Sequence, residues 1–258
     1  MIIFDGKTKA HQIESTLRGR SSGKQSKVLR SIVVGDQAGA MKYQHMKKAA
    51  AERVGASLVI DHFDDDSDFE TIKTKILELN TDSQVDGIMI QLPLPKILKN
   101  HTDALIKLIE PQKDVDGMRS DSPYTAPVVK AITIALRKAE KSLNQNLKDK
   151  KTLVVGSSGF VGKKLVKHLA ENKYAVVGVD DASHIDPYTK TADVIISITG
   201  VPDLIGPDQI QEGVILIDVG APNGDIEKKA YERASYVSPV PGGIGPVTIA
   251  CLLENLIL

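Results

Sequence analysis

Asp86-Gly87-Ile88-Met89-Ile90-Gln91-Leu92-Pro93-Leu94-Pro95 reads as a buried strand that runs into two prolines. An unbroken apolar run such as Ile88 to Ile90 is what a parallel strand covered on both faces looks like. Proline has no N–H to offer a sheet ladder, so the strand stops at Leu92-Pro93. The amide of Gln91 is left at the strand's carboxyl end, the edge at which open α/β sheets bind ligands.

Outward from this stretch, strand and helix patterns alternate, which predicts an α/β architecture. Residues 27–34, 56–60 and 87–92 read as strands, and 41–54, 69–80 and 103–109 as helices. Residues 111–127 have no clear period and read as loop, followed by a helix at 128–139 and a polar run to 151. A second rhythm then begins, with strands at 152–155, 175–179, 194–198 and 214–219 and helices at 163–172 and 247–258. The break near 118–127 separates two lobes.

A chain of 258 residues can form one large domain or two modest ones. Its 33 basic and 33 acidic residues cancel, so no global basic field points to nucleic acid or an anionic membrane. The single Cys251 excludes an intramolecular disulfide and any cysteine-built zinc site, and one thiol suits a reducing cytoplasm. The first ten residues lack the pattern of a secretory signal, and no window approaches ~18 consecutive apolar residues. The acidic run Asp64-Asp65-Asp66-Ser67-Asp68 reads as a solvated loop with a helix cap; no metal ligands converge on it in the sequence.

At about 100° per residue, Tyr43, Met46, Lys47, Ala50 and Val54 share one face of the 41–54 helix. Lys47 therefore lies inside an apolar stripe, one turn beyond Tyr43. Two readings stay open on this helix alone. The ammonium is desolvated and exchanges a proton near neutral pH, or it snorkels off the stripe's edge.

Gly156-Ser157-Ser158-Gly159-Phe160-Val161-Gly162 follows an apolar strand and opens a helix, the setting of a turn whose amides approach a pyrophosphate. The spacing is not that of a Walker A loop, because position 157 is Ser and Lys164 stands where Ser or Thr would hold Mg²⁺. A tight turn without ligand is the alternative. Asp180, 24 positions after Gly156, ends the next strand, where an acid accepts from a ribose hydroxyl. With Asp181 it would repel a 2′-phosphate, which favours NAD over NADP; simple loop capping by both is the alternative. The run Ser238 to Thr248 is dense in Pro and Gly, marking a fixed, non-repeating path.

These motifs together resemble the bifunctional methylenetetrahydrofolate dehydrogenase/methenyltetrahydrofolate cyclohydrolase family. The matches are Tyr43-x-x-x-Lys47, the Gln91-Leu92-Pro93-Leu94-Pro95 stretch, Lys113-Asp114-Val115-Asp116-Gly117, Gly156-x-Ser158-x-x-Val161-Gly162, Gly200-x-Pro202, Ile217-Asp218-Val219-Gly220 and Pro239 to Thr248, in family order. The resemblance implies an N-terminal α/β folate-binding lobe of residues 1–118 with 247–258. It also implies a C-terminal Rossmann-like parallel-sheet lobe of residues 127–239, and a homodimer in the cytoplasm. The substrate would be a tetrahydrofolate derivative and the cofactor NAD or NADP. Lys47 would be the catalytic lysine, Gln91 its hydrogen-bond partner and Tyr43 its orienting neighbour, with Asp116 on the pterin ring. Leu92, Pro93, Pro241, Gly242, Gly243 and Thr248 would line the folate site. Gly156, Ser157, Ser158, Gly159, Val161, Gly162, Asp180, Gly200 and Pro202 would hold the cofactor.

The chain departs from the family pattern in places. Ala38-Gly39-Ala40 replaces Pro-Ala-Ser, Pro123 to Val129 is a degraded Pro-Cys-Thr-Pro-x-Gly segment after a shortened connection, Ser157 replaces a frequent arginine, and Lys164 a common proline. The candidate catalytic set is intact, so the expectation is an active enzyme with altered cofactor choice or kinetics. The competing readings are another NAD-linked dehydrogenase on the same frame and a non-catalytic folate- or nucleotide-binding homologue. Lys47 and Gln91 separate them, because a binding module needs no such pair.

Overall fold

The computed structural model describes residues 1–23, 25–35, 38–180 and 185–258, the side chains of 38–40 and 42 excepted. Asp181 and the side chains of Ala38-Gly39-Ala40 therefore lie outside the described residues. The chain divides into two compact units, His11–Pro127 with Ile249–Leu258, and Met1–Ala10 with Val128–Thr248. They are called here the small-sheet and large-sheet units.

The small-sheet unit holds β2 (Val28–Val34), β3 (Ser57–Phe63) and β4 (Gly87–Ile90), all parallel, in the order β3-β2-β4. The four residues of β4 are all buried, as their apolar run predicts. Gln91 continues the ladder by one bond, its N–H donating to the Ile32 carbonyl at 2.8 Å, before Pro93 ends it. The helices are α2 (Ala38–Arg53), α3 (Phe69–Thr81) and α4 (Thr102–Leu108). Asp68 caps α3 by accepting from the Thr71 N–H at 2.8 Å, so the end of the acidic run is a helix cap. Lys113 closes the other end of α3. Its ammonium donates to the carbonyls of Leu79, Asn80 and Asp82 at 2.9, 2.8 and 2.7 Å, where the helix dipole favours a cation. Leu29, Ala50, Ala51, Val54, Leu58, Met89 and Val115 pack with Leu252, Leu253 and Leu256 of α8 (Ile244–Ile257) in the core of this unit.

The large-sheet unit has six parallel strands: β1 (Ile2–Ile3), β5 (Thr152–Val155), β6 (Val176–Val179), β7 (Val194–Ser197), β8 (Ile215–Asp218) and β9 (Tyr236–Ser238). Their order is β1-β9-β8-β7-β5-β6. Connections leave β5 toward β6 on one side and reach β7 on the other, so the topological switch lies at the carboxyl ends of β5 and β7. Around the sheet are α5 (Pro127–Leu143), α6 (Phe160–Glu171) and the one-turn α7 (Asp186–Thr189).

Two features differ from the sequence expectation. Residues 1–10 group with the large-sheet unit, because Ile2 and Ile3 add a parallel strand to Tyr236 and Val237. The helix α1 (Gly6–Ser21) is absent from the sequence reading. Its buried stripe of Ala10, Glu14 and Leu17 contains a carboxylate. Glu14 accepts two bonds from Arg53, at 2.8 and 2.7 Å, and this pairing lets it lie among apolar residues.

Candidate active site

Helix α2 turns Gln44, Lys47, Ala50 and Ala51 inward, and Val54 just past its end is buried too, while Met46 is 44% exposed. This corrects the predicted stripe. Met46 lies at its solvent edge, and Gln44 takes the inward place three residues before Lys47. Lys47 is 5% exposed, so it does not snorkel. Its ammonium donates to Oε1 of Gln91 at 3.0 Å and to the sulfur of Met89 at 3.7 Å. It lies 4.8 Å from the centre of the partly buried Tyr43 ring, within cation–π range.

No carboxylate is hydrogen-bonded to this ammonium in the described contacts. Burial drives its pKa down to about 8, partly opposed by the negative charge of Asp116. Burial, and then the same carboxylate, push the Tyr43 phenol above its ordinary value. The family resemblance implies that Tyr43, Lys47, Gln91 and Asp116 act together. Three meet directly, and Asp116 acts on two of them by charge.

The loop that presents Asp116 is built by its neighbours. Asp114 is fully buried and accepts from the N–H groups of Met118 and Arg119 at 3.1 and 2.8 Å. Gly117 has φ +61°, and a Cβ there would stand 2.7 Å from the Ala126 nitrogen, so only glycine lets the short connection fold back over it. Asn255 of α8 ties the segment by donating to the carbonyls of Val115 and Thr125, at 2.8 and 3.0 Å. The shortened 117–127 connection is thus an ordered loop.

In the large-sheet unit the glycine-rich turn leaves β5 at the switch point. Gly156 has φ +90°, and a Cβ there would come within 2.5 Å of the Ile198 carbonyl oxygen at the end of β7. A Cβ on Gly162 would meet the Gly156 oxygen at 2.1 Å. Gly159 caps α6 without a side-chain bond, so the first amides of this helix are left to a ligand or solvent. Asp180, directly after β6, accepts from Ser157 Oγ at 2.8 Å and from the Ser158 N–H at 2.6 Å. The Ser158 N–H is the main cause holding its carboxyl below the usual range. Close backbone approach, a helix N-terminus and an acid at the next strand end fit a nicotinamide dinucleotide. Among the described residues, no group of three His, Cys, Asp or Glu is placed to hold a metal.

The tetrahydrofolate dehydrogenase/cyclohydrolase catalytic-domain model matches residues 4–116, and the NAD(P)-binding-domain model of the same family matches residues 130–258. The protein named bifunctional protein FolD from Hydrogenobaculum is 34% identical over 272 residues, covering 99% of this chain and 97% of its own. The chain belongs to the tetrahydrofolate dehydrogenase/cyclohydrolase family. The FolD protein of Bacillus pumilus is also 34% identical, over 99% of this chain and 96% of its own. The solved structure of the Campylobacter jejuni FolD methylenetetrahydrofolate dehydrogenase/cyclohydrolase superposes with a TM-score of 0.86 at 29% identity, covering 100% of this chain and 97% of that one.

Within this member of the tetrahydrofolate dehydrogenase/cyclohydrolase family, the residues expected to form the sites fall into two groups. Tyr43, Lys47, Gln91, Leu92, Pro93 and Asp116 belong to the small-sheet unit. The glycine-rich turn, Asp180, Gly200, Pro202, Pro241, Gly242, Gly243 and Thr248 belong to the large-sheet unit, after the carboxyl ends of its strands. The proline–glycine run is held by backbone packing, since a Cβ on Gly6 would stand 1.8 Å from the Gly243 oxygen. Thr248 is turned back along α8, its hydroxyl donating to the Ile244 carbonyl at 3.1 Å.

Two polar clusters are given no role by the motifs, although Asp218 lies in the Ile217–Gly220 match. One is Gln44 with Ser31, joined at 2.9 Å and both fully buried. Its signal was the i, i+3, i+7 spacing of Gln44, Lys47 and Ala51, hidden because Gln44 is polar. The other is the buried Asp218 and Asp225. Asp218 accepts from the N–H groups of Gly220, Asp225 and Ile226, and burial raises its carboxyl. Asp225 accepts from Ser197 Oγ and the Thr199 N–H at 2.8 and 2.7 Å, tying the loop after β8 to the end of β7, next to Gly200.

Proposed function

We propose that Lys47 is the proton-transfer group of a bifunctional enzyme that converts 5,10-methylenetetrahydrofolate to the 5,10-methenyl cation and hydrolyses that cation to 10-formyltetrahydrofolate. The observation that carries this is the buried ammonium 3.0 Å from a neutral amide. A nicotinamide dinucleotide, when bound, supplies the hydride acceptor of the first reaction. In hydrolysis, amine-form Lys47 takes a proton as the water oxygen bonds to the methenyl carbon. The resulting ammonium returns that proton to the departing pterin-ring nitrogen, and the hydroxyl proton of the adduct leaves to solvent. Both steps need a group that exchanges protons near neutral pH, which a carboxylate-paired lysine would not do.

The expected pH dependence follows from the titration of Lys47. Cyclohydrolase kcat rises about tenfold per pH unit toward about 8 and levels above it. Because the charge of Asp116 raises this pKa, Asp116→Asn moves the limb to lower pH. A kcat profile measured from the decay of methenyl absorbance checks both; a flat profile from pH 6 to 9 sinks the assignment.

Asp116 is proposed to bind the pterin ring and Tyr43 to orient it, with Leu92, Pro93, Pro241, Gly242, Gly243 and Thr248 along the folate. Gly156, Ser157, Ser158, Gly159, Val161, Gly162, Gly200 and Pro202 would hold the dinucleotide. NAD is the proposed acceptor over NADP. Ser157 carries no charge for a 2′-phosphate, and the exposed Asp180 carboxylate would repel one; Asp181, outside the described residues, would add to this. Like charges set against each other cost several kcal/mol, so kcat/KM with NAD should exceed that with NADP by more than about tenfold. The reverse order in parallel assays would show that these positions do not select the cofactor. A homodimer in the cytoplasm completes the proposal, and no helix among the described residues is long and apolar enough to cross a membrane.

A further inference from the structure

We propose that Ser31 and Gln44 form a positioning relay that fixes the Gln91 amide with its oxygen toward Lys47. Neither residue touches the ammonium. The relay spans three elements: Ser31 on the central strand β2, Gln44 on α2 and Gln91 at the end of β4.

The direction of every bond follows from one fixed acceptor. The Leu92 carbonyl can only accept, and it lies 2.7 Å from Nε2 of Gln91. Gln91 must therefore turn Oε1 the other way, toward Lys47 at 3.0 Å and Gln44 at 2.7 Å. Gln44 in turn must present its NH₂ group to that oxygen. Its own Oε1 is then left facing Ser31 Oγ at 2.9 Å, and the hydroxyl donates. Rotating either amide would set donor against donor or oxygen against oxygen at a buried site.

The burial of the pair points to a purpose beyond packing. Ser31 and Gln44 are 0% exposed, beside Leu29, Ile32 and Val33, which are apolar and equally buried. Burying a polar side chain costs free energy unless it is hydrogen-bonded, and two apolar residues would fill the same space without that requirement. Gln91, by contrast, is only partly buried and ends its strand before a proline. Without Gln44, the Leu92 carbonyl and the Lys47 ammonium itself would be the remaining holds on its amide. Gln44 also occupies one of the two lone pairs of Gln91 Oε1, leaving a single acceptor site for Lys47. This limits how strongly the amide favours the charged lysine, in keeping with the low pKa of Lys47.

The inference rests on the assignment of Lys47 as the proton-transfer group, and its test separates the two. Gln44→Met keeps the length of the side chain and removes the donor. The expected result is a fall of roughly tenfold in cyclohydrolase kcat, with KM for the methenyl substrate nearly unchanged. The midpoint of the kcat–pH profile should move by about half a pH unit or more. The titratable groups that face Lys47 are Tyr43 on its own helix, in ring contact, and Asp116 on the loop, whose charge raises its pKa, and neither is altered. The effect should vanish when Gln44→Met is made in a Gln91→Met background, since the relay then has nothing to position. Ser31→Ala should act in the same direction more weakly, Ser31→Thr should restore the wild-type profile, and these two carry the test if Gln44→Met does not fold. A folded Gln44→Met enzyme with wild-type kcat and midpoint overturns the relay. So does one whose kcat falls only in step with its thermal stability while the midpoint stays. Lys47→Met run alongside distinguishes the failures: full activity there removes the lysine assignment itself.

Discussion

Lys47→Met lowers cyclohydrolase kcat by roughly 10²–10⁴-fold, the usual contribution of a positioned acid–base group, and it does so in a protein more stable than the wild type. The two effects share one cause. The folded chain holds Lys47 at 5% exposure and lowers its pKa from 10.5 to about 8. Between those values the unfolded chain binds a proton that the folded chain has lost, so wild-type stability rises with pH across that window. Below about pH 8 the whole cost is present, up to about 3 kcal/mol at roughly 1.4 kcal/mol per pH unit. Methionine has no such cost. The variant should therefore melt above the wild type at pH 7, and the gap should close toward pH 10.5. Thermal melts across pH, together with methenyl decay rates, read both. A variant that keeps its cyclohydrolase rate, or whose stability gain over the wild type is no larger at pH 7 than at pH 10, contradicts the account.

Gly162→Ala should produce the opposite separation of activities. The added Cβ would lie 2.1 Å from the Gly156 oxygen and 2.8 Å from the Ser157 Cα, both backbone. The turn cannot retreat, because Gly156 is itself pressed against the Ile198 carbonyl. Overpacking of this kind costs about 1–3 kcal/mol. Displacing the turn should raise KM for the nicotinamide cofactor by more than about tenfold, since binding there depends on close backbone approach. Hydrolysis of supplied methenyltetrahydrofolate should persist, as Lys47 and Gln91 belong to the other compact unit. Dehydrogenase and cyclohydrolase assays on one preparation decide it; unchanged cofactor KM would mean that the turn does not hold the dinucleotide.

The contrast between these residues shows what a linear reading can reach. Gly162 was legible because a strand, a glycine-rich turn and a helix follow one another locally. Lys47 was legible because a charge inside an apolar helical stripe violates the pattern. Met46 was misplaced on that stripe because a helical wheel assigns arcs, not solvent. Helix α1 was missed because Glu14 breaks its stripe, and its partner Arg53 is distant in sequence.

The sequence by itself determined the parallel α/β rhythm, the proline stop after Gln91, the glycine-rich strand–helix turn and the spacing of Tyr43 and Lys47. These are properties of backbone dihedrals, missing N–H groups and helical period, all set within a few residues. Only the tertiary structure decided that Gln44 belongs inside, that the oxygen of Gln91 faces Lys47, and that Asp116 opposes the lowering of the lysine's pKa. The physical reason is that a buried polar group is tolerated only by partners, and those partners come from other elements. Ser31 lies 13 residues before Gln44, and Gln91 lies 47 after it.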